Sequence, residues 1–245
     1  MSNNKLVDDA PYHPGYEGAA FGRPMSQVIR ERLKEKQTRF FANDNISEFI
    51  HDEYELEALV DEVTDKFHQV LLSLVIDTKN DHNTQDTARR VAKMFIKETF
   101  RGRYDNPPKV TAFPNVGQYD ELYVTGPITI RSTCAHHFQN IVGRCYIGVF
   151  PGRNVIGLSK FNRIVDWIAS RPQIQEEMTI QITDAIQKET DADGVAVLMQ
   201  AEHHCMTHRG VKEHESDMTT SVMRGAFRKD PSLKQEFFNI VHKMK

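Results

Sequence analysis

The run 121-ELYVTGPITIRSTCAHHFQNIVGRCYIGVF-150 decides the architecture. Its two flanks, ELYVTGPITIRST and IVGRCYIGVF, are β-branched and aromatic, broken by Gly and Pro, which is the composition of antiparallel strands. Downstream, VIGLSKFNRIVDW turns from strand to helix, with a helix expected over residues 160–170. A second is expected over residues 173–189, after Arg171 and Pro172, with Ile174, Met178, Ile182 and Ile186 on one face. The chain then returns to strand in VAVLMQAEHHC (195–205) and in SDMTTSVMRGAF (216–227), and closes with a helix, PSLKQEFFNIVHKM (231–244). Two strands, two helices and two strands make an α+β core.

Upstream the texture is helical. Between residues 48 and 76, Ile50, Leu56, Leu59, Val60, Val63, Phe67, Val70, Leu71 and Leu74 fall near helical period, as one long helix or two. After a polar loop, Asp86 or Thr87 can cap a helix whose stripe is Ala88, Ala92, Phe95, Ile96 and Phe100. A short KVTAF strand follows Pro107 and Pro108. Residues 1–24 hold several Pro and Gly and few large aliphatics, the composition of a mobile tail. Residues 26–41 are charge-rich, either a helix or a solvated extension. The division expected is 1–46, a flexible and partly helical extension; 47–105, a helical part; and 106–245, the catalytic core.

Composition excludes several classes. With 31 Lys and Arg against 34 Asp and Glu in 245 residues, the net charge of −3 does not suit a nonspecific nucleic-acid binder. The longest apolar run, residues 70–76, is far short of the roughly 20 needed to span a bilayer, so no membrane partner is expected. The first residues carry no signal-like apolar stretch, which points to the cytoplasm. Three cysteines in such a chain argue for metal or thiol chemistry rather than a disulfide framework.

The cysteines sit where that chemistry needs them. Cys134-Ala135-His136-His137 and Glu202-His203-His204-Cys205 concentrate soft and borderline ligands, whereas the paired CxxC units of a structural zinc ribbon are absent. Three protein ligands and an open position for water fit better. Strand alternation would put His203 and Cys205 on one face. In the first cluster, a strand would pair Cys134 with His136 and a helical turn would pair it with His137. Either way one histidine is left over as a proton carrier. Cys145, with no histidine near it in sequence, reads as core. A second constellation is cationic. Ser159, Lys160 and Arg163 stand at a strand-to-helix transition suited to an anion, and Arg89, Arg90, Lys93 and Arg209 are further candidates for a polyphosphate. Gln175 and Glu176, opening a helix, offer an amide and a carboxylate to a guanine edge.

From residue 47 to the carboxyl end the chain resembles GTP cyclohydrolase I. The resemblance rests on DTARRVAKMF, STCAHHF, VIGLSKFNRIVDW with RPQIQEEMT, and HHC followed by HRG, in family order. It implies the tunnelling fold (T-fold), whose ββααββ sheets close into a barrel as five subunits assemble, two rings forming a homodecamer with shared active sites. It also implies Zn2+ on Cys134, His137 and Cys205, with His136 and His203 catalytic. Arg90, Lys93, Ser159, Lys160, Arg163 and Arg209 would hold the triphosphate or ribose, and Gln175 and Glu176 the guanine. The reaction implied is hydrolysis of GTP at C8, with release of formate and rearrangement to 7,8-dihydroneopterin triphosphate. That is the first step of folate, pterin or deazapurine biosynthesis. Ala135 departs from the family, which often has glutamate there.

Overall fold

The computed structural model describes residues 22–244; the tail expected over residues 1–24 lies, as far as residue 21, outside them. Residues 22–40 and 46–98 form one compact unit, and residues 41–45 and 99–244 a second.

In the first unit, α1 (Met25–Glu35) buries Met25, Val28, Ile29 and Leu33, one stripe at helical spacing. The long periodic segment is a single helix, α2 (Glu53–Ser73), which starts where the Asp52 carboxylate accepts the Glu55 N–H at 2.9 Å. A capping carboxylate thus sets the start three residues beyond Ile50, the first apolar position of the pattern. The next helix, α3 (Thr87–Lys93), receives no side-chain cap from Asp86, whose carboxylate lies 3.6 Å from the Arg90 guanidinium instead. Beyond Lys93 the coil widens into a π-helical stretch, Met94–Thr99. A two-oxygen ion pair ties α1 to α2. Arg32 donates to both carboxylate oxygens of Glu55, each at 2.6 Å, and also to the Phe49 carbonyl.

The second unit begins with α4 (Arg101–Tyr104), β1 (Ala112–Pro114), β2 (Tyr123–Cys134) and β3 (Asn140–Phe150). It continues through β4 (Asn154–Ile156), α5 (Leu158–Ala169), β5 (Pro172–Gln173) and α6 (Gln175–Thr190). It ends with β6 (Gly194–His203), α7 (His204–Thr207), β7 (Asp217–Gly225), α8 (Ala226–Lys229) and α9 (Pro231–Met244). The KVTAF strand shrinks to β1, which pairs with β4 in a two-stranded sheet. The main sheet runs β5-β2-β3-β6-β7, and β3 is antiparallel to both of its neighbours. The α+β reading of the sequence holds.

Alternation along β6 distributes its side chains between two cores. Val195, Val197, Met199 and Ala201 join Phe161, Ile164, Ile168, Met178, Ile182 and Ile186 of α5 and α6. Ala196 and Leu198 join Phe227, Phe237 and Val241 on the opposite side. Cys145 lies in the first of these cores, where burial pushes its thiol up to about 12, so it is inert. At Gly143 of β3 a Cβ would stand 2.2 Å from the Gln200 carbonyl of β6, so glycine there permits the close approach of the two strands.

The Arg32–Glu55 pair yields a pH-dependent expectation. The guanidinium holds the Glu55 carboxyl below the usual carboxylate range. Its stabilisation is therefore complete above an unfolded-state value of about 4.3 and is lost as pH falls below that toward the lowered folded-state value. Urea unfolding of Glu55→Gln should show a loss of about 1–3 kcal/mol at neutral pH that shrinks below pH ~4. An equal loss at both pH values would show that charge does not carry the contact.

Candidate functional site

Three strands deliver the candidate residues to one end of the sheet. Strand β5 is parallel to β2, pairing Gln173 with Cys134. Because β3 is antiparallel to β2 and to β6, those two run the same way, and their carboxyl ends lie on either side of the start of β3. Cys134 closes β2, and a turn over residues 135–139 follows at once. Phe138 donates its N–H to the Cys134 carbonyl at 2.9 Å, and Cys134 donates to the Gln139 carbonyl at 2.8 Å. Phe138 takes the left-handed conformation, with φ of 52°. Ala135 donates to the Gln173 carbonyl at 3.1 Å, which pins the turn to β5.

Both histidines ride on this turn and are exposed, while Cys134 is buried. The imidazole resting on the sulfur is that of His136, its Nδ1 3.8 Å from Cys134 Sγ. The second cysteine arrives by a route that strand alternation does not describe. Strand β6 stops at His203, where its pairing with β3 reaches Ile141, and His204–Thr207 is one turn of helix. The expected strand over residues 195–205 is therefore two residues too long, because the backbone coils into helix at His204 and leaves Asn140 of β3 paired only with Thr133 of β2. Cys205 sits on that turn, next to Cys134. Burial and the neighbouring Cys134 thiol push the Cys205 thiol up, with the charge of Arg209 acting the other way. Two thiols side by side, with an imidazole nitrogen at 3.8 Å from one of them, form a donor set for a soft or borderline cation. Such a cation is what would let both sulfurs ionise together.

His203 is half-buried and its orientation is fixed by a residue that sequence reasoning assigned elsewhere. Gln175, fully buried at the start of α6, donates its amide NH2 to the carbonyls of Met199 and Met218 and to Thr220 Oγ1, at 3.3, 3.0 and 3.1 Å. Those carbonyls only accept, so the amide cannot be flipped and its Oε1 faces His203 Nε2 at 2.8 Å. The proton of neutral His203 is therefore on Nε2, and Nδ1 carries the lone pair. Burial holds the imidazole below its ordinary range against the opposing carboxylate of Glu176. The sequence reading gives the Gln175 side chain to a guanine edge; here it is spent inside the protein, with no exposed surface. Glu176, the next residue, is exposed.

The cations are placed as follows. Ser159 and Arg163 are exposed on α5, and Lys160 Nζ donates to the Lys109 carbonyl at 2.8 Å. The first turn of α5 carries no side-chain cap, which leaves backbone donors for an anion. Arg209 is exposed just beyond α7. Arg90 and Lys93 are exposed on α3, in the first unit. Sequence reading missed one cluster. Among the described residues, the trio whose ligand atoms all lie within 4.8 Å of one another is Glu202, His204 and His208, not Cys134, His137 and Cys205. The spacing of His204 and His208, one helical turn apart, was its available signal.

Residues 63–242 match the family model described as GTP cyclohydrolase I. A curated relative from Flavobacterium johnsoniae named GTP cyclohydrolase 1 is 41% identical over 195 residues, covering 78% of this chain and 84% of the relative. Proteins of the same name from Aliivibrio salmonicida and Vibrio vulnificus are 39% and 37% identical, covering 72% and 87% of this chain and 82% and 95% of their own.

The Gln175 contact can be read directly. Nitrogen NMR of the neutral imidazole should show His203 as the Nε2–H tautomer, and Gln175→Leu should release it to a mixture. An Nδ1–H tautomer in the unsubstituted protein would contradict the assignment.

Proposed function

Because the chain belongs to the GTP cyclohydrolase I family, we propose that its sheet-end site hydrolyses GTP at C8, releases formate and yields 7,8-dihydroneopterin triphosphate. The observation that supports this most is the convergence of Cys134, Cys205 and His136 beside a His203 whose tautomer is fixed by Gln175. We assign Zn2+ to Cys134, Cys205 and His137, following the family resemblance, with the His136 imidazole free for proton transfer. When bound there, zinc supplies a water made acidic enough to attack at neutral pH.

The chain's own residues do the rest. Glu176 accepts from the guanine N1–H and exocyclic amine, while the backbone donors at the start of α6 face the carbonyl side of the base. His203 presents Nδ1 to the reacting base. Its burial keeps it neutral at rest, and the Gln175 oxygen keeps Nε2–H engaged, so a proton gained on Nδ1 is poised for N7 as the imidazole ring opens. His136 assists ribose opening. Ser159, Lys160, Arg163 and Arg209, with Arg90 and Lys93, hold the triphosphate or ribose, some of them from a neighbouring subunit. Holding both ends of the substrate makes the later ring closure effectively intramolecular. The same resemblance leads us to propose a cytoplasmic homodecamer of two pentameric rings, its sheets closed into a barrel, which would leave no open edge at β7. The division into 1–46, 47–105 and 106–245 belongs to the same proposal.

Purified protein with GTP should release formate and develop pteridine absorbance, and chelation or Cys205→Ser should abolish both. His137→Asn should lose zinc, whereas His136→Asn should keep it and lose about 10²–10⁴-fold in turnover. The reverse pattern would exchange the two histidines. Thermal stabilisation by GTP with no formate would make the chain a nucleotide-binding regulator instead. A sedimentation mass near 28.2 kDa would rule out shared sites.

A further inference from the structure

On the turn that carries Cys205, three side chains outside the proposed reaction converge. His204 and His208 face each other across α7, with ring centroids 4.1 Å apart. His204 Nε2 stands 3.7 Å from Glu202 Oε1, and the ligand atoms of all three residues lie within 4.8 Å of one another. Ligands of one ion bound at ~2.0–2.2 Å stand roughly 3–3.5 Å apart, so small side-chain rotations would bring these three onto a common ion.

A hydroxyl sets the donor atoms. Thr207, 1% exposed, donates from Oγ1 to Glu202 Oε1 at 2.7 Å, and the same oxygen lies 2.8 Å from His208 Nδ1. A hydroxyl has one proton. If it goes to the carboxylate, His208 Nδ1 must be the donor to Thr207, and His208 Nε2 is left as a bare lone pair. This is the outer-shell pattern that orients a metal-binding imidazole, and one group here serves two ligands.

The carboxylate of the trio also points away from the sheet face on which the cysteines pack. Val195, Val197, Met199 and Ala201 face the α5 and α6 core, to which Cys134 belongs and against which Cys205 packs. His203 continues that face, in contact with Gln175. Glu202, one residue out of phase, points to the opposite face with Ala196 and Leu198.

We propose that Glu202, His204 and His208 form a second transition-metal site, distinct from the cysteine pair, for a borderline divalent ion such as Zn2+, Co2+, Ni2+ or Fe2+. Two imidazoles and one carboxylate favour these over Mg2+ or Ca2+, and leave coordination positions open to water or another ligand.

Cobalt titration of the metal-free full-length protein separates the two sites. Thiolate ligands give intense near-ultraviolet charge-transfer absorption with Co2+, and a site of nitrogen and oxygen donors gives only weak visible bands. The expected result is an equivalent of Co2+ without the thiolate absorption. His204→Asn combined with His208→Gln should abolish it, as should Glu202→Gln, which keeps the shape of the side chain. Thr207→Val should weaken it by ~10–100-fold. Retention of the thiolate signal in these variants would show that they are folded. If such an equivalent is absent, or persists in both Glu202→Gln and the double variant, the proposal is overturned. Binding confined to this equivalent, with no thiolate absorption, would support the second site while removing the metal assigned to the cysteines.

Discussion

Strand β3 is hydrogen-bonded to β2 on one side and to β6 on the other, antiparallel to each. Everything chemical in the second unit follows from that double pairing. Two strands antiparallel to a common neighbour are parallel to each other, so β2 and β6 end together although about 70 residues separate Cys134 from Cys205. Strand β5 runs the same way beside β2 and leads directly into α6. Each of these strand ends is where the backbone leaves the ladder and becomes free to turn, which is why both cysteines and the histidines beside them stand at the junctions.

The sheet also keeps its two faces chemically apart. One face is sealed by α5 and α6 and the other by α8 and α9. Burying a large aliphatic side chain contributes about 1.5–3 kcal/mol, and the alternating residues of β6 make that contribution on both sides at once. A strand held this firmly fixes the direction of its last side chains. His203 faces the glutamine of α6 and Glu202 faces away from it. Gln175 joins this framework to the chemistry, since its amide ties α6 to β6 and β7 while its oxygen sets the imidazole.

Much of this was legible in the sequence, for a physical reason. The strands and helices flanking the site are long, strongly patterned and capped or ended by Pro and Gly, so period alone identifies them. What escaped was set by tertiary contact. Nothing local says that β6 ends at His203, because the alternating pattern runs on to Cys205 while the backbone already coils into helix at His204. Whether Cys134 meets His136 or His137 depends on a turn closed by Phe138 in a left-handed conformation, which few non-glycine residues adopt. The inward aim of Gln175 depends on carbonyls from two strands that are distant in sequence. The π-helical stretch after α3 has no pattern to distinguish it from an ordinary helix.

The short segment from Glu202 to His208 passes from strand to helix within a few residues, and this makes its length as informative as its composition. Successive side chains turn by about 180° in the strand and about 100° in the helix. One added or deleted residue would rotate Cys205 away from Cys134 and break the relation between His204, His208 and Glu202. Substitution tests one ligand at a time, whereas an insertion or deletion here would scramble both clusters together. Across related chains, divergence in this stretch should therefore proceed by exchange of residues at constant spacing.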